Sequence, residues 1–126
     1  MHNAAFGALG LDWTYELLDV PAAELPAALE RLRAPDVAGA NVTIPHKLAV
    51  MERLDGLDAD AMRAHAVNTI ARDGGRLVGS NTDVAGIRSA ISEVGLKPRS
   101  ANVVILGGGG SARAAALRRF RSIRNK

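Results

Sequence analysis

The chain has 126 residues, 48% of them apolar, with a formal net charge of +3 and no cysteine. That length suits one ordinary domain rather than two, the composition is that of a globular protein, and without Cys there is neither a disulfide framework nor a thiolate metal site. No apolar run approaches the roughly 18 residues of a spanning helix, and the N-terminus has no secretory signal, so a soluble, cytoplasmic protein is expected.

Taken in order, the chain alternates helix and strand. Residues 2–9 read as the later part of a helix and residues 13–20 as a strand. Residues 21–33 predict a helix, with Leu25, Leu29 and Leu32 at helical spacing and Pro26 near its first turn. Residues 37–44 predict a second strand, residues 45–54 a helix, and residues 58–65 a shorter one. Strands at 66–71 and 77–80 flank Asp73-Gly74-Gly75-Arg76, which has the chemistry of a hairpin turn. Thr82 or Asp83 can cap a helix running to Val94, with Gly95 just past its end and Pro98 beyond. Residues 101–106 form a continuous apolar run, followed at once by four glycines and an Ala-rich helix. This alternation predicts an α/β protein with a mostly parallel open sheet and a boundary near residues 97–100.

The stretch Asn41-Val42-Thr43-Ile44-Pro45-His46-Lys47 carries the most chemical information. Val42 and Ile44 alternate with Asn41 and Thr43 as in a strand, and Pro45, with its fixed φ and no donor, ends it. Lys47 then falls in the first turn of the expected helix, at the carboxyl end of a strand, where open α/β sheets keep their binding crevice. A cation there opposes the helix dipole at a cost of about 0.3 to 1 kcal/mol, so something other than helix stability selects it.

Two further polar sites fall at strand ends. Asn68-Thr69 interrupts an apolar strand, and Ser80-Asn81-Thr82-Asp83 follows another. Each residue has a plainer reading: Asp83 as a helix cap, Asn68 as a turn amide, Thr43 as a β-branched strand residue. Their joint placement at strand ends favours a site.

Gly107-Gly108-Gly109-Gly110-Ser111 stands between an expected strand and an expected helix, the context of a dinucleotide fingerprint. Gly107 allows a tight turn, Gly109 lets the backbone approach a pyrophosphate, and the helix start offers unpaired N–H groups. The acidic or basic residue that would separate NAD from NADP lies about 20 positions further on, so the preference is not readable here. All 13 acidic residues precede residue 97, whereas 8 of the 16 basic ones follow residue 96. That basic stretch, with Arg113, Arg118, Arg119, Arg121, Arg124 and Lys126, reads first as a solvated chain end and second as a binder of nucleotide or nucleic-acid phosphate. Phe120 stands alone, so stacking on single strands is poorly supported.

Asn41 to Lys47, then Ala66-Val67-Asn68-Thr69, then Asn81-Thr82-Asp83 with Gly86, then the glycine turn at 107–110 resemble the ordered motifs of the shikimate dehydrogenase family. Residues 1–6 resemble that family's first helix. The resemblance implies NADPH-dependent reduction of 3-dehydroshikimate to shikimate, in aromatic amino-acid biosynthesis. It implies that Lys47 is the catalytic lysine and Asp83 its paired carboxylate, that Thr43, Asn68 and Asp83 bind substrate oxygens, and that Gly107, Gly108, Gly109, Gly110 and Ser111 hold the cofactor phosphates. It divides the chain into a substrate-binding domain at 1–97 and the start of a Rossmann-type NADP-binding domain at 98–126, with its first βα unit.

Measured against the family, the chain reads as truncated at both ends. A first strand and a Ser-x-Ser loop would precede Met1, and the remaining Rossmann strands would follow Lys126. His65 stands where the family usually has glycine. A fragment with little or no activity by itself is therefore expected, with self-association through open sheet edges as one outcome. A quinate/shikimate dehydrogenase, with NAD as the other cofactor, and a non-catalytic binding or regulatory module of the same fold are the alternatives. No metal and no membrane partner are implied.

Overall fold

The computed structural model describes residues 1–95 and 103–117. Its helices are α1 (His2–Ala8), α2 (Leu25–Arg31), α3 (Ala59–Ala64), α4 (Thr82–Glu93) and α5 (Gly110–Ala116). Its strands are β1 (Gly39–Asn41), β2 (Gly56–Leu57), β3 (Thr69–Asp73) and β4 (Arg76–Ser80). They form one open mixed sheet in the order β1-β3-β4-β2.

The expected mostly parallel sheet is corrected. β1 with β3 and β3 with β4 are antiparallel, and β2 with β4 is the parallel pair. The cause lies in the turn between Asp73 and Arg76, where Gly74 and Gly75 have φ values of 56° and 86°. A two-residue connection with both centres left-handed joins antiparallel neighbours, whereas parallel strands need a long crossover.

The strand expected at 13–20 joins no ladder among the described residues. Its backbone is held by a side chain instead: the Asn3 amide donates to the Tyr15 carbonyl at 3.0 Å and accepts from the Tyr15 N–H at 2.6 Å. The Tyr15 ring stacks on His2 at 4.1 Å between centroids, and Trp13 meets Phe6 edge-on at 5.6 Å. The strand expected at 37–44 contracts to β1, extended by one bond from Val42 N–H to the Asn68 carbonyl at 2.8 Å. The helix expected at 45–54 is a run of turns ending in a 3-10 turn, Met51–Arg53. Its bonds are mixed in span, four residues from Val50 N–H to His46 but three from Met51 N–H to Leu48 and from Arg53 N–H to Val50, so no regular helix propagates.

Other elements form where the side chains predict them. α3 starts at Asp58, whose carboxylate accepts from Ala61 N–H at 2.6 Å, and stops at His65 in the left-handed region, φ 49° and ψ 46°. α4 matches its expected span, but Asn81 caps it rather than Thr82 or Asp83. Residues 103–106 pair with no strand among the described residues, and Val104 and Leu106 are exposed. The strand of the expected Rossmann βα unit is therefore not seen among the described residues, where the glycine turn is followed by α5. Residues 101–102, the boundary at 97–100 and the basic stretch from Arg118 lie outside the described residues.

Two apolar clusters hold the fold. In the larger, Leu25, Leu29 and Leu32 pack with Val50, Ala61 and Val67 against Ile70 of β3 and Leu77 of β4. Ile70, Leu77, Val50 and Val67 are fully buried, each worth about 1.5 to 3 kcal/mol relative to exposure. In the smaller, Ala64, Ala66, Val84 and Ala114 meet. Small side chains there let α5 lie close against α3 and α4. Among the described residues no helix is long and apolar enough to cross a membrane, and no three His, Cys, Asp or Glu residues group as metal ligands.

Candidate functional site

The site forms at the end of the hairpin opposite its turn. Residues 66–68 enter β3 there, residues 80–83 leave β4 there, and the turns after β1 bring Lys47 alongside. The Val67 N–H donates to the Lys47 carbonyl at 2.7 Å and the Asn68 N–H to the Ser80 carbonyl at 3.0 Å, so three chain segments are tied by backbone before any side chain is considered.

Lys47 Nζ donates to Asp83 Oδ2 at 2.8 Å, and the two side chains are 12% and 26% exposed. Asn68 Nδ2 donates to the other Asp83 oxygen, Oδ1, at 2.8 Å and to Thr82 Oγ1 at 3.0 Å. Asn68 Oδ1 accepts from the Thr82 N–H at 2.9 Å and from Thr69 Oγ1 at 3.0 Å. An ionised carboxylate only accepts and a backbone N–H only donates, so these neighbours fix which way the amide faces. Ser111 of α5 completes the group: its hydroxyl donates to Asp83 Oδ2 at 3.3 Å and lies 3.5 Å from Lys47 Nζ.

Burial pushes the Asp83 carboxyl up, but the hydrogen bond and charge of Lys47, aided by Asn68 and Ser111, outweigh it and hold the carboxyl below the ordinary value of 3.8. Asp83 is thus an anion at neutral pH. Lys47 offers three N–H donors, of which the described contacts use two, which leaves a direction for a ligand oxygen.

The reading of Asp83 as a helix cap is corrected by Asn81. Its Oδ1 accepts from the Asp83 N–H at 3.1 Å while its Nδ2 donates to the Ala66 carbonyl at 2.8 Å, and it is 3% exposed. With the cap supplied by its neighbour, the Asp83 carboxylate is released towards Lys47. Asn68, likewise, bonds Thr82 and the Asp83 carboxylate at the helix start rather than closing a local turn.

Thr43 is exposed, and its side chain takes no part in the described hydrogen bonds; its carbonyl accepts from His46 N–H at 2.9 Å. Gly107, Gly108 and Gly109 are exposed, and Gly109 caps α5. Gly110 is buried against Lys47 and Ala66. Sequence reasoning missed the role of Asn81 and the contact of Ser111 with the ion pair. It also missed Tyr15, whose hydroxyl donates to Asn41 Oδ1 at 3.1 Å, while the Asn41 amide lies 3.5 Å from Thr69 Oγ1. Asn81 could have been found as the Asx residue directly before an apolar helix face. No local signal marks the other two contacts, which join distant segments.

Residues 1–70 match the sequence family described as the shikimate dehydrogenase substrate binding domain. The chain belongs to the shikimate dehydrogenase family. Among curated relatives, the NADP(+) shikimate dehydrogenase of Symbiobacterium thermophilum is 49% identical over 117 residues, 93% of this chain and 40% of the relative. That of Methanothermobacter thermautotrophicus is 49% identical over 116 residues, 92% of this chain and 41% of the relative. The chain thus spans about two fifths of the length of these relatives.

Solved structures agree. A shikimate dehydrogenase in complex with NADP+ superposes with a TM-score of 0.83 at 44% identity, covering 91% of this chain and 40% of that one. Shikimate dehydrogenase of Thermus thermophilus in complex with shikimate gives 0.82 at 39% identity, covering 91% and 44%. The ligand-free 5-ketofructose reductase of a Gluconobacter strain gives 0.77 at 39% identity, covering 90% and 41%.

Proposed function

We propose that this chain supplies the substrate-binding part and the catalytic lysine of an NADP(H)-dependent shikimate dehydrogenase that reduces 3-dehydroshikimate to shikimate. The observation that carries the reading is the joining of Lys47, Asp83 and Asn68 by two 2.8 Å contacts at the open end of the hairpin. The names of the relatives supply the substrate and cofactor classes.

When bound, the nicotinamide supplies the hydride. As the ketone carbon receives it, charge gathers on the carbonyl oxygen, and the Lys47 ammonium both stabilises that charge and gives the oxygen its proton. The product alcohol thereby carries one hydride and one proton, and the lysine recovers its proton from solvent. Asp83, held anionic, orients the ammonium and accepts a hydrogen bond from a substrate hydroxyl. Asn68 and Thr43 serve further substrate oxygens, Thr43 through an exposed hydroxyl that makes no hydrogen bond among the described residues. The exposed backbone of Gly107–Gly109 before α5 fits the approach of a cofactor phosphate, because no side chain stands in its way.

The domain division follows the same reading, with substrate binding at 1–97 and the start of the nucleotide-binding domain at 98–126. Since the chain spans two fifths of its relatives and its described residues build a single sheet, turnover by the isolated chain is expected to be negligible. A chimera completing the chain with the remaining sequence of the Symbiobacterium relative tests the proposal. It should oxidise NADPH with 3-dehydroshikimate in preference to 3-dehydroquinate or 5-ketofructose. Preference for another ketone would overturn the substrate, and fast turnover by the 126-residue chain alone would overturn the fragment reading. The ketofructose arm is included because that reductase shares the fold at the same 39% identity as the Thermus enzyme.

A further inference from the structure

We infer that the first two residues of α5, Gly110 and Ser111, position Lys47, so that the glycine at 110 serves the lysine rather than a cofactor. This rests on the proposed role of Lys47, but its test reads the lysine directly and stands apart from substrate and cofactor.

The four glycines of the turn are not equivalent. A Cβ on Gly107, Gly108 or Gly109 would meet nothing within 4 Å. A Cβ on Gly110 would come within 2.9 Å of Lys47 Cδ and 3.3 Å of both Lys47 Cβ and Ala66 Cβ. Gly110 therefore forms a flat seat along the aliphatic stem of the lysine. The seat is firm from behind, since Ala114, one turn further along α5, is fully buried with Ala64, Ala66 and Val84. Of the groups a new methyl would crowd, Ala66 is fully buried, while the lysine stem can rotate. A side chain at 110 would accordingly move Lys47 before it moved the fold.

Ser111 acts on the other end of the same side chain. Its hydroxyl donates to the Asp83 oxygen that Lys47 also uses and lies 3.5 Å from Nζ, so it closes a three-membered polar group. Stem and head of the lysine are thus both held from α5. Ser111 is exposed, which leaves this contact open to exchange with a ligand oxygen.

The chain contains only three lysines, Lys47, Lys97 and Lys126, so lysine labelled with ¹³C at Cε gives three NMR signals, assigned with Lys47→Arg. The inference expects Gly110→Ala to shift the Lys47 signal and Gly108→Ala to leave it in place. Ser111→Ala should raise the titration midpoint of the Asp83 carboxyl, and Ser111→Thr, which keeps the hydroxyl, should restore it. An unmoved Lys47 signal in Gly110→Ala with an unmoved Asp83 midpoint in Ser111→Ala would overturn the inference. So would equal shifts from Gly108→Ala and Gly110→Ala, which would show a general loosening of the turn. Should Gly110→Ala fail to fold, the Ser111 pair decides alone, because removing or keeping one hydroxyl at an exposed position spares the core.

Discussion

The two ends of the β3–β4 hairpin each hold a close ion pair, but the two pairs are enclosed by different kinds of neighbour. At the turn end, Arg33 Nη1 meets Asp55 Oδ2 at 2.6 Å, and Nη2 meets the second carboxylate oxygen at 3.3 Å. Apart from the exposed Glu30 carboxylate, which accepts from Arg33 Nε at 3.3 Å, the other contacts of the pair are to backbone: Arg33 Nη1 to the Gly75 carbonyl at 3.2 Å, and the Leu77 N–H to Asp55 Oδ2 at 2.7 Å. At the open end, Lys47 and Asp83 are surrounded by the side chains of Asn68 and Ser111. Backbone partners are fixed by the fold, whereas side-chain amides and hydroxyls can rotate to a ligand. The arginine suits the first role, since its planar fork matches a carboxylate; the lysine suits the second, as a compact charge with movable donors. One end clamps the hairpin and the other presents it.

The sharpest way to break this comparison is to remove each cation. In the chimeric enzyme, Lys47→Ala should lower kcat by roughly a hundred- to ten-thousand-fold, the usual worth of a positioned proton donor, with a much smaller change in KM. Steady-state kinetics with NADPH would show it, and an unchanged kcat would remove Lys47 from the chemistry.

The matching change at the turn end, Asp55→Ala, should act on stability and leave the site intact. It leaves the Leu77 N–H without its acceptor and takes from Arg33 its closest one, so urea unfolding should shift to lower midpoint while the Lys47 signal keeps its position. The hydrogen bond from Arg33, then that from Leu77 N–H, hold the Asp55 carboxyl below the ordinary 3.8, as Lys47 does for Asp83. A carboxyl depressed on folding contributes stability above its unfolded pKa and loses it as pH falls through the folded one. Acid unfolding curves should therefore decline from about pH 4 downward, less steeply in Asp55→Asn and in Asp83→Asn than in the parent.

The smallest expected effect comes from His65, which ends α3 at a φ of 49° directly before the residues that enter β3. Left-handed backbone costs a non-glycine residue roughly 1 kcal/mol, so His65→Gly should raise the thermal midpoint by a few degrees without moving either carboxyl titration. A lower midpoint would mean that the imidazole makes compensating contacts.

Much of the site was legible because its residues sit in short stretches with clear local chemistry. Asn41 to Lys47, Asn68 and Asp83 each stand where an apolar strand gives way to a polar residue, and the Asp73–Arg76 turn announces itself through its two glycines. That same turn argues for antiparallel pairing, and the alternation of helix and strand was given too much weight against it. The strand expected at 13–20 finds no ladder partner among the described residues, because Asn3 satisfies the Tyr15 backbone that a neighbouring strand would otherwise bond. The pattern at 45–54 was helical only in part, and turns of mixed span result. Asn81 stands directly before the helix, but Thr82 and Asp83 can cap as well, and the Asn81 bonds to the Asp83 N–H and the Ala66 carbonyl decide between them. Ser111 was read for phosphate alone because its partner lies 64 residues earlier.

Separation along the chain also ranks the contacts of the site by cost. A hairpin with a two-residue turn closes in about 1 to 10 μs, whereas the cost of closing a loop grows with the number of residues enclosed. Asn68 and Asp83 are 15 residues apart, Asp83 and Ser111 are 28 apart, and Lys47 and Asp83 are 36 apart. By loop length the amide and carboxylate meet at the lowest cost, and the serine and the lysine each close a longer loop onto that same carboxylate. Asp83 is thus the point on which three segments converge, and the hairpin sets it in place for the other two.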